Sequence, residues 1–481
     1  MNNILADIQL ALPEIFIISM ACVILLVDRF THVRLPQASY LLTQVTLLAG
    51  FYLTLSAAPA KPQYAYNNIF ILDGVASLFK LTIYFLTFFV LVYSLGYLVE
   101  RDMYKGEYFV IVLIAVSGMM VMSSASHFLT IYLGLELLSL SLYTMVAMNR
   151  DSKLATEAAM KYFVLGALAS GMLLYGMSII YGTTGSLDIG TIRDAIQGME
   201  SDDVMLMLGI IFIIVGLGFK LGVVPFHMWI PDVYQGAPTS VVLLIGTAPK
   251  VAAFALLMRL LVDGFQALSV NWSEMLTIFA ILSMAMGNIV AIAQTNLKRM
   301  LAYSTISHMG FFLLGILSAN PNGYGASLFY IVIYSFTSLA AFGLIIMMSR
   351  AGFEADKISD YSGLNKRHPW FAFLVALVMF SMAGIPPTIG FFAKLSVIQA
   401  LVDVDMYWLA VLAVLFAVIG AYYYLRVVKT IYFDKPESEE PITEPGDMRF
   451  LLSANVFALL LLMPWIGVIM DICTKAVSQL G

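Results

Sequence analysis

Charged residues are scarce in this chain of 481 residues, and their scarcity excludes a soluble globular protein. Only 11% of the residues are charged, whereas soluble globular domains carry about 25%. The hydrophobic fraction is 61%, so too little polar surface remains to cover a soluble protein of this length. We therefore expect lipid to be the solvent around much of the surface.

Cysteine is also nearly absent, and the two that occur, Cys22 and Cys473, form no Cys-x-x-Cys pair. The sequence therefore predicts no iron–sulfur cluster, no metal site and no disulfide framework. The net charge is −5 and the basic residues form no cluster, so no nucleic-acid surface is indicated. Asp7 and Glu14 replace the basic residues of a signal peptide, which favours a retained first helix.

Long apolar runs dominate what is present. A helix needs about 20 apolar residues to cross a bilayer. We predict an all-α polytopic membrane protein with about 14 transmembrane helices, near residues 13–30, 37–57, 72–98, 107–124, 127–148, 157–181, 204–225, 239–262, 273–294, 302–319, 325–349, 370–401, 407–432 and 449–472. Residues 183–203 are too polar to span and should lie outside the bilayer.

Lysine and arginine are distributed unequally between the two sides of the membrane. Only four lie at the ends facing the starting side, here called the out-side: Lys61, Arg193, Arg259 and Lys475. The opposite, in-side ends hold sixteen: Arg29, Arg34, Arg101, Lys105, Arg150, Lys153, Lys298, Arg299, Arg350, Lys357, Lys366, Arg367, Arg426, Lys429, Lys435 and Arg449. Since cytoplasmic loops are rich in these residues, both termini are predicted to be periplasmic in a bacterial inner membrane.

The order of the helices suggests an internal repeat. We predict N-terminal helices 1–3 in 1–106, a first repeat of helices 4–8 in 107–262, and a second of helices 9–13 in 263–432. An acidic cytoplasmic loop and helix 14 follow in 433–481. Because five helices is an odd number, the two five-helix repeats must be inverted relative to each other.

Each repeat carries, as its fourth member, a helix interrupted by proline beside a lysine. These are helices 7 and 12, with the breaks at 216–225 and 384–394. Pro225 should free the carbonyl of Leu221, and Pro386 and Pro387 should act in the same way in helix 12. Pro249 should free the carbonyl of Ile245. Such broken helices in matching positions are typical of transporters.

Four charged residues fall in the middle of predicted spans: Glu136, Lys220, Lys250 and Lys394. Each would cost about 2.5–3.5 kcal/mol if it faced lipid, so all four should face the protein interior or water. A buried amine has a lower pKa than the usual value of about 10.4, and a nearby carboxylate raises it again. Glu136 and Lys220 are therefore the preferred proton-exchanging pair, although each charge could also be a static helix lock.

Three other residues admit two interpretations. Lys161 follows Glu157 by four residues, so it could form a simple helical ion pair or begin the proton route. His308 could relay protons, since histidine titrates near neutrality, or it could be a buried hydrogen-bonded side chain. Lys80, two turns from the out-side end of its helix, is expected to reach the surface and to be structural.

The residues around the two breaks make a family resemblance visible. Pro225-Phe-His-Met-Trp-Ile-Pro-Asp-Val-Tyr-Gln-Gly-Ala-Pro238 closely resembles the signature of the antiporter-like subunits of respiratory complex I, the proton-pumping NADH:quinone oxidoreductase. Residues 296–308 and 383–394 support it. The sequence of residues 232–238 resembles the subunit N branch of this family rather than the L and M branches. The resemblance runs over essentially the whole chain.

The resemblance implies proton translocation through Glu136, Lys220, Lys250 and Lys394. It also implies that NAD(H), FMN, iron–sulfur clusters and quinone belong to partner subunits, with no cofactor in this chain. The expected partners are the lipid bilayer, protons, antiporter-like subunit M and smaller membrane-arm subunits. Two alternatives are a subunit of a Mrp-type cation/proton antiporter and a structural membrane subunit whose charges only lock helices.

Overall fold

The structure, a computed structural model, describes residues 2–31, 37–59, 61–199, 203–349, 352–436, 446–478 and 480. Most of the predicted acidic loop, at 437–445, lies outside the described residues, and so do Arg34 and Arg350 of the charge count. The described chain is almost entirely helical, with one short antiparallel hairpin.

The elements follow one another as long helices with short connections. They are α1 (Asn2–Leu10), α2 (Leu12–Thr31), α3 (Ala38–Ala57), β1 (Gln63–Ala65), β2 (Phe70–Leu72), α4 (Gly74–Glu100), α5 (Gly106–Ser123), α6 (Phe128–Val146), α7 (Lys153–Thr184), α8 (Ile189–Ile196), α9 (Val204–Leu221), α10 (Trp229–Gly236), α11 (Thr239–Ile245), α12 (Ala248–Leu257), α13 (Ser269–Ile292), α14 (Leu297–Leu317), α15 (Pro321–Met348), α16 (Leu364–Arg367), α17 (Pro369–Ala383), α18 (Ile389–Val402), α19 (Tyr407–Phe433), α20 (Gly446–Leu461) and α21 (Ile466–Val477). A π-helical turn, Met258–Gly264, continues α12.

The predicted membrane fold is confirmed within the described residues. Eleven helices are long and apolar enough to cross a bilayer, and two bent pairs, α1–α2 and α20–α21, raise the number to thirteen. The shorter apolar helices α17 and α18 together cover the remaining predicted span. Each predicted span therefore corresponds to helix, because only helices satisfy every backbone polar group inside lipid.

The innermost helices are those nearest the predicted breaks. The segment from α11 to the π-helical turn is wholly buried, and 94% of the residues in the most apolar stretch of α14 are buried. In the outer helices α3, α13 and α19, fewer than half of the residues in the corresponding stretch are buried. A charged side chain on an inner helix is therefore screened from lipid by other helices.

Both predicted broken helices are broken where expected. α9 ends at Leu221 because Gly222 adopts a left-handed conformation with φ of 80°, and α17 ends at Ala383 because Gly384 does the same. Glycine has no Cβ and tolerates this conformation at little cost. The bonds Val224–Pro225 and Pro386–Pro387 are cis.

A third break was assigned to the wrong residue. Helix 8 is interrupted at Gly246 and Thr247, between α11 and α12. Pro249 is the second residue of α12, so it begins a helix rather than interrupting one. Proline is favoured in the first turn, where its missing N–H would have no helical partner.

Two basic residues that were expected near the surface are buried in ion pairs. Lys80 pairs with Glu14 between α4 and α2, and its side chain has no solvent-exposed area. Arg259 pairs with Asp73 at 2.8 Å, and both side chains are 1% exposed. The snorkelling prediction for Lys80 is therefore wrong, whereas Arg259 lies at the out-side end of its span as counted but is buried there. Each carboxylate offsets a charge that would otherwise have to reach water.

Candidate proton-transfer sites

The first lysine site, defined by Glu136, Ser139, Lys220 and Lys250, lies between α6, α9 and α12. Lys220 and Lys250 line one cavity of about 30 Å³ together with Ser139, Tyr162 and Trp229. A space of about 10–15 Å³ is enough for one water molecule. The two ammonium groups therefore share a cavity that has room for water.

Lys220 faces Glu136 without forming an ion pair with it. Its ammonium donates a hydrogen bond of 2.7 Å to Ser139 Oγ, three residues beyond Glu136 on α6. Residues at that spacing are neighbours on a helix. The charge of Glu136 acts on Lys220, yet Glu136 Oε1 is buried and has no hydrogen-bond partner among the described residues. Glu136 and Lys220 therefore lie on facing helices, but the Lys220 ammonium contacts α6 about one helical turn beyond Glu136.

Lys250 uses the carbonyl that the break in helix 7 sets free. Its ammonium donates to the Leu221 carbonyl at 2.9 Å and lies 5.1 Å from the centre of the Trp229 ring. The expectation of a free Leu221 carbonyl is correct, but the lysine that binds it comes from the next predicted span. The C-terminal carbonyls of a helix carry partial negative charge, which favours a cation there.

The second lysine site, defined by Lys394, His308, Tyr330 and Tyr424, repeats this arrangement. Lys394 extends back from α18 and donates to the carbonyls of Met382 and Ala383 at 3.1 and 2.9 Å. These are the last carbonyls of α17, freed at the break. In both sites a buried ammonium therefore lies on the carbonyl end of a broken helix.

His308 connects the second site to a chain of hydroxyl groups. Its Nδ1 lies 2.6 Å from the Tyr330 hydroxyl and its Nε2 lies 3.1 Å from the Tyr424 hydroxyl. Tyr424 also bonds to Ser304. The histidine is buried and hydrogen-bonded on both sides, an arrangement compatible with either interpretation of this residue.

A second cavity of about 20 Å³ adjoins His308. Tyr330, Tyr334 and Ser381 also line it, and the Ser381 hydroxyl has no hydrogen-bond partner among the described residues. Met382, whose carbonyl binds Lys394, is part of the same lining. One water molecule there could bridge the histidine region and the lysine region.

Lys161 belongs to a surface network rather than to either lysine site. Its half-exposed ammonium pairs with Glu157 at 2.7 Å and with Asp232 at 2.8 Å, and Asp232 also pairs with Arg299 at 2.8 Å. Burial tends to raise the pKa of Asp232, but the hydrogen bonds from Lys161 and Arg299 outweigh it and lower the pKa. The helical ion pair predicted from sequence is present.

Several polar partners were missed from the sequence. Ser139, Tyr330 and Tyr424 occur in apolar helices where hydroxyl residues are common, so only the helical spacing of Ser139 from Glu136 was a usable signal. Glu354 was also missed. It lies in a loop after α15 and accepts hydrogen bonds from Thr239 and, at 2.8 Å, from the Tyr97 hydroxyl.

Glu354 allows a prediction of pH dependence. Burial tends to raise the pKa of its carboxyl, but the charge of Lys298 and the bond from Thr239 outweigh burial, so the pKa lies below its usual 4.5. A carboxyl with a lowered folded-state pKa stabilises the fold above its unfolded value, and that stabilisation is lost as the pH falls through the folded value. We expect the midpoint temperature of thermal unfolding to fall as the pH is lowered below about 4.5.

The midpoint temperature of thermal unfolding is measured for the wild type and for Glu354→Gln between about pH 7 and about pH 3.5. The variant should be less stable at neutral pH and should lose less stability on acidification. Glu100→Gln, at a half-exposed carboxylate, serves as the control. Equal pH dependence in Glu354→Gln and the wild type would contradict this assignment.

Three comparisons relate this chain to known proteins. A family model described as "NADH:quinone oxidoreductase/Mrp antiporter, TM" matches residues 125–420. NADH-quinone oxidoreductase subunit N of Thioalkalivibrio sulfidiphilus is 55% identical over 98% of both chains. The same subunit of Thiobacillus denitrificans is 55% identical over 97% of both.

Solved structures share the fold. A chain of respiratory complex I from Thermus thermophilus with bound aureothin is 30% identical, with a TM-score of 0.82, covering 98% of this chain and 100% of that one. A chain of the Mrp complex from Dietzia has a TM-score of 0.85 over 98% and 97%. Its identity is 20%, so it supports the fold alone.

Proposed function

This chain belongs to the NADH-quinone oxidoreductase subunit N family, and from that premise we propose that its two lysine sites carry the protons. It is a proton-translocating membrane subunit of a bacterial NADH:quinone oxidoreductase and lies in the inner membrane with the other membrane-arm subunits. The Mrp-type alternative shares the fold and the family model, but the Mrp chain is only 20% identical, whereas the subunit N relatives are 55% identical.

The observation that carries the proposal is the position of the Lys220 ammonium. It is bound to Ser139, one turn from an unpartnered buried carboxylate oxygen of Glu136, beside a cavity with room for water. A small movement of the side chain would exchange the Ser139 contact for Glu136. A charged amine is stabilised near the carboxylate, while a neutral amine is stabilised away from it. Such a movement therefore couples position to protonation.

Lys250 and Lys394 would hold protons by a different contact. Each charged ammonium is stabilised by freed carbonyls at the end of a broken helix. Deprotonation would weaken these hydrogen bonds, because charged donors bind about twice as strongly as neutral ones. A shift of the broken helices would thus change proton affinity at both sites.

His308 would extend the route from the second lysine site. Its two ring nitrogens contact the hydroxyls of Tyr330 and Tyr424, and the neighbouring cavity has room for one water. A neutral imidazole can accept a proton on one nitrogen and release it from the other. The surface network of Lys161 would lie at the in-side end of the first route.

The energy must come from partner subunits. Moving one charge against 100 mV costs about 2.3 kcal/mol, which a passive route cannot supply. We propose that NAD(H), FMN, iron–sulfur clusters and quinone act in those subunits and that this chain carries no redox cofactor. Its two cysteines are too few for a cluster, and one of them, Cys22, is exposed.

The proposed topology follows the charge count. Both termini would face the periplasm, since the in-side ends carry most of the lysine and arginine. The two inverted repeats would occupy 107–262 and 263–432, each with its broken helix as fourth member. Equivalent breaks after Leu221 and Ala383 support this division.

Glu136→Gln tests the function at the first lysine site. Glutamine keeps the size of glutamate and one acceptor oxygen but removes the charge that attracts the Lys220 ammonium. We expect proton pumping to fall about fivefold or more, as when a positioned proton-transfer group is lost. The measurement is NADH-driven acidification of inside-out membrane vesicles.

Glu107→Gln is the matched control, because Glu107 is an exposed carboxylate in the first turn of α5, outside the proposed route, and should have little effect. Assembly is checked by the NADH dehydrogenase activity that copurifies with the chain. Normal pumping by a fully assembled Glu136→Gln complex would favour the structural alternative, in which the charges only lock helices.

A further inference from the structure

An apolar pocket away from both lysine sites opens between α4, α15 and α20. Its volume is about 190 Å³, and its walls are the rings of Phe85, Phe89 and Phe336 with Leu339, Leu451, Ala454 and Asn455. An engineered apolar cavity of about 150 Å³ holds benzene and stays dry. This pocket is therefore large enough for a segment of hydrocarbon and unattractive to water.

The pocket opens at the surface of membrane-spanning helices, away from the two lysine sites. Phe85 is 38% exposed, and α4 and α20 belong to predicted membrane-spanning segments. None of the residues of the two lysine sites lines it. Lipid that surrounds these helices could enter an apolar pocket with this opening.

One polar group inside the pocket has no matching partner. Asn455 is 6% exposed, and neither its amide oxygen nor its amide nitrogen has a hydrogen-bond partner among the described residues. The nearby Tyr93 hydroxyl interacts with the Asn455 side chain, and it donates a hydrogen bond of 3.3 Å to the Leu451 carbonyl, which leaves the hydrogen-bonding capacity of the amide incompletely used. Leaving a buried amide unbonded is costly, so a ligand with a polar atom at this position would be favoured.

A cation lies on the same helix toward the membrane surface. Arg449 is exposed and precedes Asn455 by six residues, about 9 Å along α20, and its guanidinium lies 5.6 Å from the centre of the Phe371 ring on α17. Read from the in-side surface inward, the order is therefore a cation, an amide and an aromatic-lined apolar pocket. A phospholipid presents a phosphate, an ester carbonyl and an acyl chain in the same order.

We propose that this pocket is a binding site for a phospholipid of the in-side leaflet. One acyl chain fills the space between the three phenylalanine rings, and its ester carbonyl accepts a hydrogen bond from the Asn455 amide. The phosphate lies nearer the in-side end of α20, at the level of Arg449 along the helix axis. The bound lipid joins α20 to α4 and α15 and stabilises the packing of the C-terminal helix.

The test uses the assembled complex in bilayers that contain phosphatidylglycerol with a photoreactive diazirine on one acyl chain. After exchange against unlabelled lipid and irradiation, the labelled peptides are identified by mass spectrometry. We expect adducts on α4 and α20 to survive exchange that removes label from the exposed face of α7, around Leu168 and Leu174.

Two variants make the result specific. Ala454→Phe fills the pocket and should reduce the retained label on α4 and α20 about tenfold while leaving α7 unchanged. Asn455→Leu is nearly isosteric and removes one hydrogen bond, so retention should fall about fivefold. Assembly is confirmed for each by copurifying NADH dehydrogenase activity.

Three outcomes would contradict the proposal. Equal exchange at α7 and at the pocket in the wild-type complex would mean ordinary surrounding lipid. Absence of label on α4 and α20, with intact assembly, would mean that a partner subunit covers the pocket. If Asn455→Leu retains as much label as the wild type, the Asn455 amide does not contribute to lipid binding.

Discussion

Replacing Lys394 with alanine will reduce proton pumping about tenfold or more in a complex that still assembles. The substitution removes the ammonium that lies on the carbonyls of Met382 and Ala383. It leaves those carbonyls to water and takes away the proposed proton carrier nearest His308. Alanine is a good helix former, so α18 itself should persist.

The measurement is the number of protons pumped per NADH oxidised in sealed vesicles. Lys366→Ala is the matched control, since Lys366 is an exposed lysine in the short helix α16. Lys394→Met distinguishes loss of charge from loss of volume, because methionine fills a similar space. Unchanged pumping in Lys394→Met would remove this residue from the proton route, whatever the result for alanine.

Arg259→Met will strongly destabilise the protein. Its guanidinium makes two bonds of 2.8 Å to Asp73 and also donates to the Ser123 carbonyl. The pair joins α4, α5 and the π-helical turn at the out-side. Removing the cation leaves a buried carboxylate without its partner, which typically costs about 3–5 kcal/mol.

The double variant Asp73→Asn with Arg259→Met should recover most of that loss. Asparagine carries no charge, and it can still accept the N-terminal hydrogen bond of α4 from Ala76. Arg193→Met is the control, because its ion pairs are more exposed and should be worth less than about 1 kcal/mol. Thermal dissociation of the purified complex measures all three.

Equal instability of the single and double variants would argue against an uncompensated charge as the cause. The loss would then come from packing or from the Ser123 carbonyl. A single variant as stable as the wild type would mean that the ion pair contributes nothing to the fold.

The positions of the buried lysines could be predicted from the sequence, but their hydrogen-bond partners could not. The sequence located Lys220, Lys250 and Lys394 in apolar spans, because hydropathy is a local property. It did not identify Ser139 as the partner of Lys220, since these residues are 81 positions apart and several hydroxyl residues were equally available. For the same reason the Leu221 carbonyl was identified but not the lysine that binds it.

The amino-acid sequence by itself determined the membrane class, the positions of the helices and two of the three breaks. Each of these follows from about 20 consecutive residues or from one proline and glycine, whose backbone preferences act locally. Only the tertiary structure decided that Lys80 and Arg259 are buried with Glu14 and Asp73. The depth of a charged side chain depends on which helices surround it, and that is fixed by contacts between distant segments.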